Sequence, residues 1–136
     1  MSLHPSMPIL VVDDFETMTS IIRSMLRQLG FPYVDAALDG KTALRELRKK
    51  RYALVISDWH MASMSGYDLL KEVRADPDLA SIPFILVTGS CTAEAVLAAK
   101  AAGVNDYIIK PFTVETLRRK LMAVFAATLE QELVSK

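Results

Sequence analysis

Two kinds of apolar pattern alternate along this chain, and the points where they stop carry the chemistry. Ala53-Leu54-Val55-Ile56 runs through Ser57 into Asp58 with no turn residue between, and Arg51 bounds it on the other side. A short apolar run bounded by charge reads as a strand buried on both faces, as in parallel sheets. Pro8-Ile9-Leu10-Val11-Val12 repeats the pattern and stops at Asp13 and Asp14. Pro83-Phe84-Ile85-Leu86-Val87 stops at Thr88-Gly89-Ser90, and Asn105-Asp106-Tyr107-Ile108-Ile109 stops at Lys110-Pro111. Tyr33-Val34-Asp35-Ala36-Ala37 is a weaker strand.

Between these runs the period becomes helical. From Phe15 onward, Met18, Ile21, Ile22, Met25, Leu26 and Leu29 recur on one helix face until Gly30 stops them. Asp39-Gly40 opens a helix carrying Ala43, Leu44 and Leu47 inward, and its end, Arg48-Lys49-Lys50-Arg51, is a basic run that complements the helix dipole. Leu69, Leu70 and Val73 form the inward face of a third helix, entered from a loop ending at Gly66 and closed by Asp76-Pro77-Asp78. Thr92 caps an alanine-rich helix over 93–102, ended by Gly103. Thr113 caps the last helix, with Val114, Leu117, Leu121 and Phe125 inward and Leu129 and Leu133 continuing the stripe.

Five strands alternating with five helices predict an α/β fold, a doubly wound five-stranded parallel sheet with helices on both faces, a three-layer sandwich. The flavodoxin-like order 2-1-3-4-5 suits five strands and puts strand 1 beside strand 3 at the switch point. The expected organisation is an irregular tail over 1–7, partly vector-derived, one domain over 8–128, and a helical extension or tail over 129–136. At 136 residues a single domain is long enough to close its own core.

Composition mostly excludes. Sixteen basic and 16 acidic side chains cancel, so no long-range field favours nucleic acid or an anionic membrane. Cys91 is the only cysteine and reads as structural or incidental, without a disulfide scaffold. No apolar run approaches the length of about 20 residues that spans a bilayer, and residues 1–8 lack the core of a signal peptide. The expectation is a cytoplasmic protein with no membrane insertion and no nucleic-acid partner.

With the strands parallel, one sheet edge collects Asp13, Asp14, Asp58, Thr88 and Lys110. In open α/β sheets that edge is where ligands bind. Standing alone, Asp58 would read better as a helix cap, Asp14 equally as the cap of the first helix, and Lys110 as an exposed lysine. Their joint appearance at strand ends is harder to attribute to chance. Crowded carboxylates call for a raised pKa or a bound cation, and an all-oxygen set suits Mg²⁺ better than zinc. Metal, ammonium and hydroxyl would meet the three oxygens of a phosphoryl group carried by Asp58.

Val11-Val12-Asp13-Asp14-Phe15, Ile56-Ser57-Asp58-Trp59 with Met61, Val87-Thr88 and Lys110-Pro111-Phe112-Thr113 resemble the receiver domains of two-component response regulators, most closely the single-domain chemotaxis type. The similarity covers about Pro8 to Phe125. The 2-1-3-4-5 order is a known property of that family, so it is no independent deduction. The resemblance implies that Asp58 accepts a phosphoryl group from a histidine kinase, and that Asp13, Asp14 and the His60 backbone carbonyl hold Mg²⁺ with Asp58. It implies further that Thr88 and Lys110 contact the phosphoryl oxygens, that Tyr107 is an aromatic switch, and that Lys110-Pro111 is cis. A flagellar motor switch protein is the expected output partner, with a phosphatase as a further one. Two departures stand out: Ala62 where receivers usually have proline, which should loosen the loop after Asp58, and Gly89 where alanine is common.

Other readings stay open within and beyond this chemistry. A phosphorelay intermediate, a phosphate sink or a receiver cut from a larger regulator would use the same residues. A Mg-dependent phosphoaspartate hydrolase usually needs a second acid two residues after the nucleophile, where this chain has His60. His60 suits a carbonyl role better than ring coordination, and Trp59 reads as packing.

Overall fold

The computed structural model describes residues 4–89 and 92–134, with the side chains of the last helix described as far as residue 126. Ser90, Cys91 and the side chains of Leu129 and Leu133 lie outside the described residues. The apolar runs form strands β1 (Ile9–Val12), β2 (Val34–Ala37), β3 (Leu54–Asp58), β4 (Phe84–Thr88) and β5 (Asp106–Ile109). Helices α1 (Glu16–Gln28), α2 (Gly40–Lys49), α3 (Gly66–Ala75), α4 (Ala93–Ala102) and α5 (Val114–Val134) alternate with them. All pairings are parallel and the order is β2-β1-β3-β4-β5, as expected.

Strand alternation sends successive side chains to opposite faces, which here creates two cores. Ile9, Val11, Ile56, Ile85 and Val87 pack with Ile22 and Leu26 of α1 and Leu117 and Leu121 of α5. Leu10, Val12, Val55 and Leu86 pack on the other face with Leu44, Leu69, Leu70 and Ala99. Because both faces are covered, the central strands carry no polar alternation.

Helix faces depart from the expected stripes at two places. Ile21 is 44% exposed, since its neighbour Ile22 already occupies the sheet-facing side of α1. At the start of α5, Val114 is only half-buried, while Val124, one turn beyond Leu121, is fully buried. Met7, assigned to the tail, is buried in the core beneath α1 and α5. Capping follows the polar signals: Asp39 accepts from Thr42 N, Ser65 from Asp68 N, Thr92 from Ala95 N and Thr113 from Thr116 N.

Two contacts fix how α3 sits. A Cβ on Gly66 would collide with the Asp58 carbonyl oxygen, so the first residue of α3 must be glycine to lie against the end of β3. From the last turn of α3, Arg74 donates to the carbonyls of Gly103, Ala80 and Ile82 and to Asn105 Oδ1 over 2.7–3.1 Å. Asn105 Oδ1 also accepts from Phe84 N at 2.8 Å, tying the start of β4 to the same guanidinium. Among the described residues, no helix is long and apolar enough to cross a membrane.

Candidate functional site

Parallel pairing brings the C-terminal ends of β1, β3, β4 and β5 to one edge, and backbone bonds extend the ladder past the strands. Trp59 N donates to Val87 O and Lys110 N to Thr88 O, both at 2.8 Å. The side chains at that edge are therefore set by the sheet itself. Asp13 and Asp58 are buried, at 1% and 7% exposure, Thr88 is buried, and Asp14 is exposed.

Lys110 Nζ lies 2.8 Å from Asp58 Oδ1 and 3.7 Å from Asp13 Oδ2. One ammonium thus serves two buried carboxylates. Asp13 Oδ1 accepts from Phe15 N at 2.9 Å, whereas Asp13 Oδ2 is buried with no hydrogen-bond partner among the described residues. Burial pushes the Asp13 carboxyl above its usual range, helped by the charges of Asp58 and Asp14 and opposed by the Phe15 N–H and Lys110.

Asp13, Asp14 and Asp58 each present an oxygen, and these atoms lie within 4.8 Å of one another. The His60 ring does not join that group; it is exposed and stands tilted against Trp59 at a centroid distance of 6.4 Å. The acidic set and the orphaned Asp13 oxygen fit a hard divalent cation such as Mg²⁺, which takes oxygen ligands and keeps several waters. Asp14 does not cap α1: the cap residue is Phe15, without a side-chain bond, and Asp14 Oδ2 accepts instead from Ala62 N at 3.2 Å.

Trp59 is half-buried and stacks on Tyr67, with centroids 5.5 Å apart and planes 7° from parallel, so packing accounts for it. The Lys110–Pro111 peptide is cis. Tyr107 is half-buried with Lys120 Nζ 5.0 Å from its ring centroid, and Lys120 pairs with Asp106 at 3.0 Å. The pattern of apolar positions gave no sign of Lys120 or of the Ala62 amide. The first lies on the polar side of a helix, and the second is a backbone donor that any residue but proline supplies.

Known proteins resemble this chain over most of its length. Residues 9–122 match the response regulator receiver domain family. Over 123 residues the chain is 46% identical to the chemotaxis protein CheY-3 of Vibrio cholerae, covering 90% of this chain and 95% of that protein. Among solved structures, the Vibrio cholerae chemotaxis protein CheY4 superposes with a TM-score of 0.82 at 31% identity, covering 88% of this chain and 98% of that one. The receiver domain of a sensor histidine kinase of Pseudomonas aeruginosa, with a magnesium ion coordinated in its active-site cleft, superposes with a TM-score of 0.80 at 30% identity, covering 89% and 98%. Asp13, Asp14, Asp58, Thr88 and Lys110 all fall within the matched span, and the chain belongs to the response regulator receiver domain family.

Proposed function

We propose that this chain is a phosphorylation switch of the chemotaxis type, with its receiver domain over 8–128 and flanking segments at 1–7 and 129–136. An Asp58 carboxylate oxygen attacks the phosphorus of a phosphohistidine on a histidine kinase. The P–N bond breaks, its electron pair stays on the imidazole nitrogen, and a proton completes the ring. The supporting observation is Lys110 Nζ at 2.8 Å from Asp58 Oδ1, inside a set of three carboxylates that includes a buried oxygen without a hydrogen bond among the described residues.

In this reading Lys110 pairs with Asp58 before attack and then with one phosphoryl oxygen, while the Thr88 hydroxyl meets another. Asp13, Asp14, Asp58 and the His60 backbone carbonyl would hold Mg²⁺, which supplies neutralisation of the charge on the remaining oxygen. The switch then passes through Tyr107 to the face formed by α4, β5 and α5, which a flagellar motor switch protein meets in the cytoplasm. A phosphatase resets it. The chain acts on itself and is a signalling protein, with no separate substrate.

Intact-mass measurement with acetyl phosphate and Mg²⁺ tests this: one labile phosphoryl group is expected on the wild type and none on Asp58→Asn. Turnover of external phosphate esters would point to the hydrolase instead. The likeness to a histidine-kinase receiver favours a phosphorelay or phosphate-sink role as second reading. Rapid return of the phosphoryl group to a phosphotransfer histidine, with no gain in motor-protein affinity, would select it.

A further inference from the structure

Asp14 differs from Asp13 and Asp58 in being solvent-exposed, although it presents an oxygen to the same group. An exposed carboxylate swings among rotamers, and ordering it at the moment of binding costs free energy. Here Asp14 Oδ2 accepts a hydrogen bond from the Ala62 backbone N–H at 3.2 Å. The donor sits in a loop that is itself closed. Gly66 N donates to Trp59 O and Met64 N to Ala62 O, both at 2.8 Å, and Ser63 turns the chain in the left-handed region at φ 71°.

We propose that the Ala62 amide is a positioning donor: it holds Asp14 in the rotamer that faces Asp13 and Asp58, and so couples the 59–65 loop to cation binding. This rests on the magnesium reading above. A carboxylate offers about four acceptor positions, so the bond from Ala62 leaves Asp14 free to ligate. The amide acts only through Asp14 and touches neither phosphoryl group nor cation. Any residue with an N–H serves at position 62, and proline does not.

Two measurements on the full chain test it. In a Mg²⁺ titration followed by the fluorescence of Trp59, the only tryptophan, Ala62→Pro is expected to raise the midpoint about tenfold, the scale of losing a group that orients a ligand. Ala62→Ser, which keeps the amide, is expected to leave it at the wild-type value. By amide hydrogen exchange without metal, the Ala62 amide is expected to be protected in the wild type and unprotected in Asp14→Ala, while the Gly66 amide stays protected in wild type, Asp14→Ala and Ala62→Pro. An unchanged midpoint in Ala62→Pro, or Ala62 protection indifferent to Asp14, overturns the proposal. A raised midpoint with Gly66 protection lost assigns the effect to a broken loop and overturns it equally. Absence of any saturable Mg²⁺ response in the wild type overturns the magnesium reading and with it the positioning role. That outcome is told apart because the Asp14 dependence of Ala62 protection is read without metal.

Discussion

Asp13, Asp58 and Lys110 share one small volume, and each sets the state of the others. Lys110 lies closer to Asp58 than to Asp13, and burial, with the neighbouring charge of Asp58, pushes the Asp13 carboxyl up. Replacing Asp58 by Asn removes one charge from the crowd and frees Lys110 to serve Asp13. We expect Asp58→Asn to accept no phosphoryl group and, without Mg²⁺, to melt at or above the wild-type temperature. Intact mass and a thermal melt check both, and a melt several degrees lower would show the Asp58–Lys110 pair to outweigh the relief of repulsion. Asp14→Ala should weaken Mg²⁺ binding by about 100-fold, at least the upper end of what losing a merely supporting group costs; an unchanged Trp59 fluorescence midpoint would remove Asp14 from the ligand set. These side chains were legible because each interrupts an apolar run at a strand end, where a parallel sheet has an edge. What Asp14 bonds to was not legible: the sequence left a helix cap open, whereas the partner is an amide 48 residues away, invisible to any local pattern.

Element ends are held by polar groups that no periodicity marks. Arg74 gathers the carbonyls of Ala80, Ile82 and Gly103 with Asn105, joining the end of α3 to the segments that lead into β4 and β5. Burial pulls its pKa down, yet its donors are well satisfied by carbonyls. Arg74→Met keeps the aliphatic stem but leaves the carbonyls of Ala80, Ile82 and Gly103 without that donor, which should cost about 2–3 kcal/mol in chemical denaturation. A loss below about 0.5 kcal/mol would show that water replaces the guanidinium without penalty. At the start of β2's neighbourhood a second polar cluster behaves differently with pH. Asp35 on β2 accepts from the Tyr52 hydroxyl at 2.6 Å and from Lys50 at 2.9 Å, and these bonds, Tyr52 first, hold its carboxyl below the usual range. A carboxyl lowered on folding adds stability above its unfolded pKa of 3.8, and that stability is lost as pH falls through the lower folded value. The stability gap between wild type and Tyr52→Phe should therefore be constant between about pH 5 and about pH 9 and narrow below 3.8. A gap independent of pH would mean that Tyr52 contributes by packing alone. The strands and helices around these clusters were legible from apolar spacing, but Arg74 and Tyr52 act through bonds to distant segments.

At the scale of the whole molecule the sheet separates two cores, and a signal starting at Asp58 must cross from the site to the outer strand. The register places the two proposed switch residues near each other. Leu86 pairs with Tyr107 and Thr88 with Ile109, so Thr88 and Tyr107 are two residues apart on neighbouring strands and share a sheet face. The alternation of strands and helices made that adjacency legible in the sequence, given the order known for this family. What it left out is the far end of the route, where Lys120 of α5 stands over the Tyr107 ring while paired to Asp106. In the proposed switch, a phosphoryl group on Asp58 would offer the Thr88 hydroxyl a charge-assisted bond, shorter and stronger than a neutral one, and drawing Thr88 inward would open space toward Tyr107. In the switch proposed above, the ring would then leave its place beneath Lys120 and carry the change to α5 and β5 together. A ligand shifts an equilibrium only by its differential affinity for the two states, and removal of the hydroxyl cuts the link without touching the acceptor. Thr88→Ala should thus still gain one phosphoryl group by intact mass, while its phosphorylated and unphosphorylated affinities for a motor-protein peptide draw together in calorimetry. If Thr88→Ala keeps the wild-type affinity ratio, the signal leaves Asp58 by another path, and the loop that Ala62 ties to Asp14 is the next to cut.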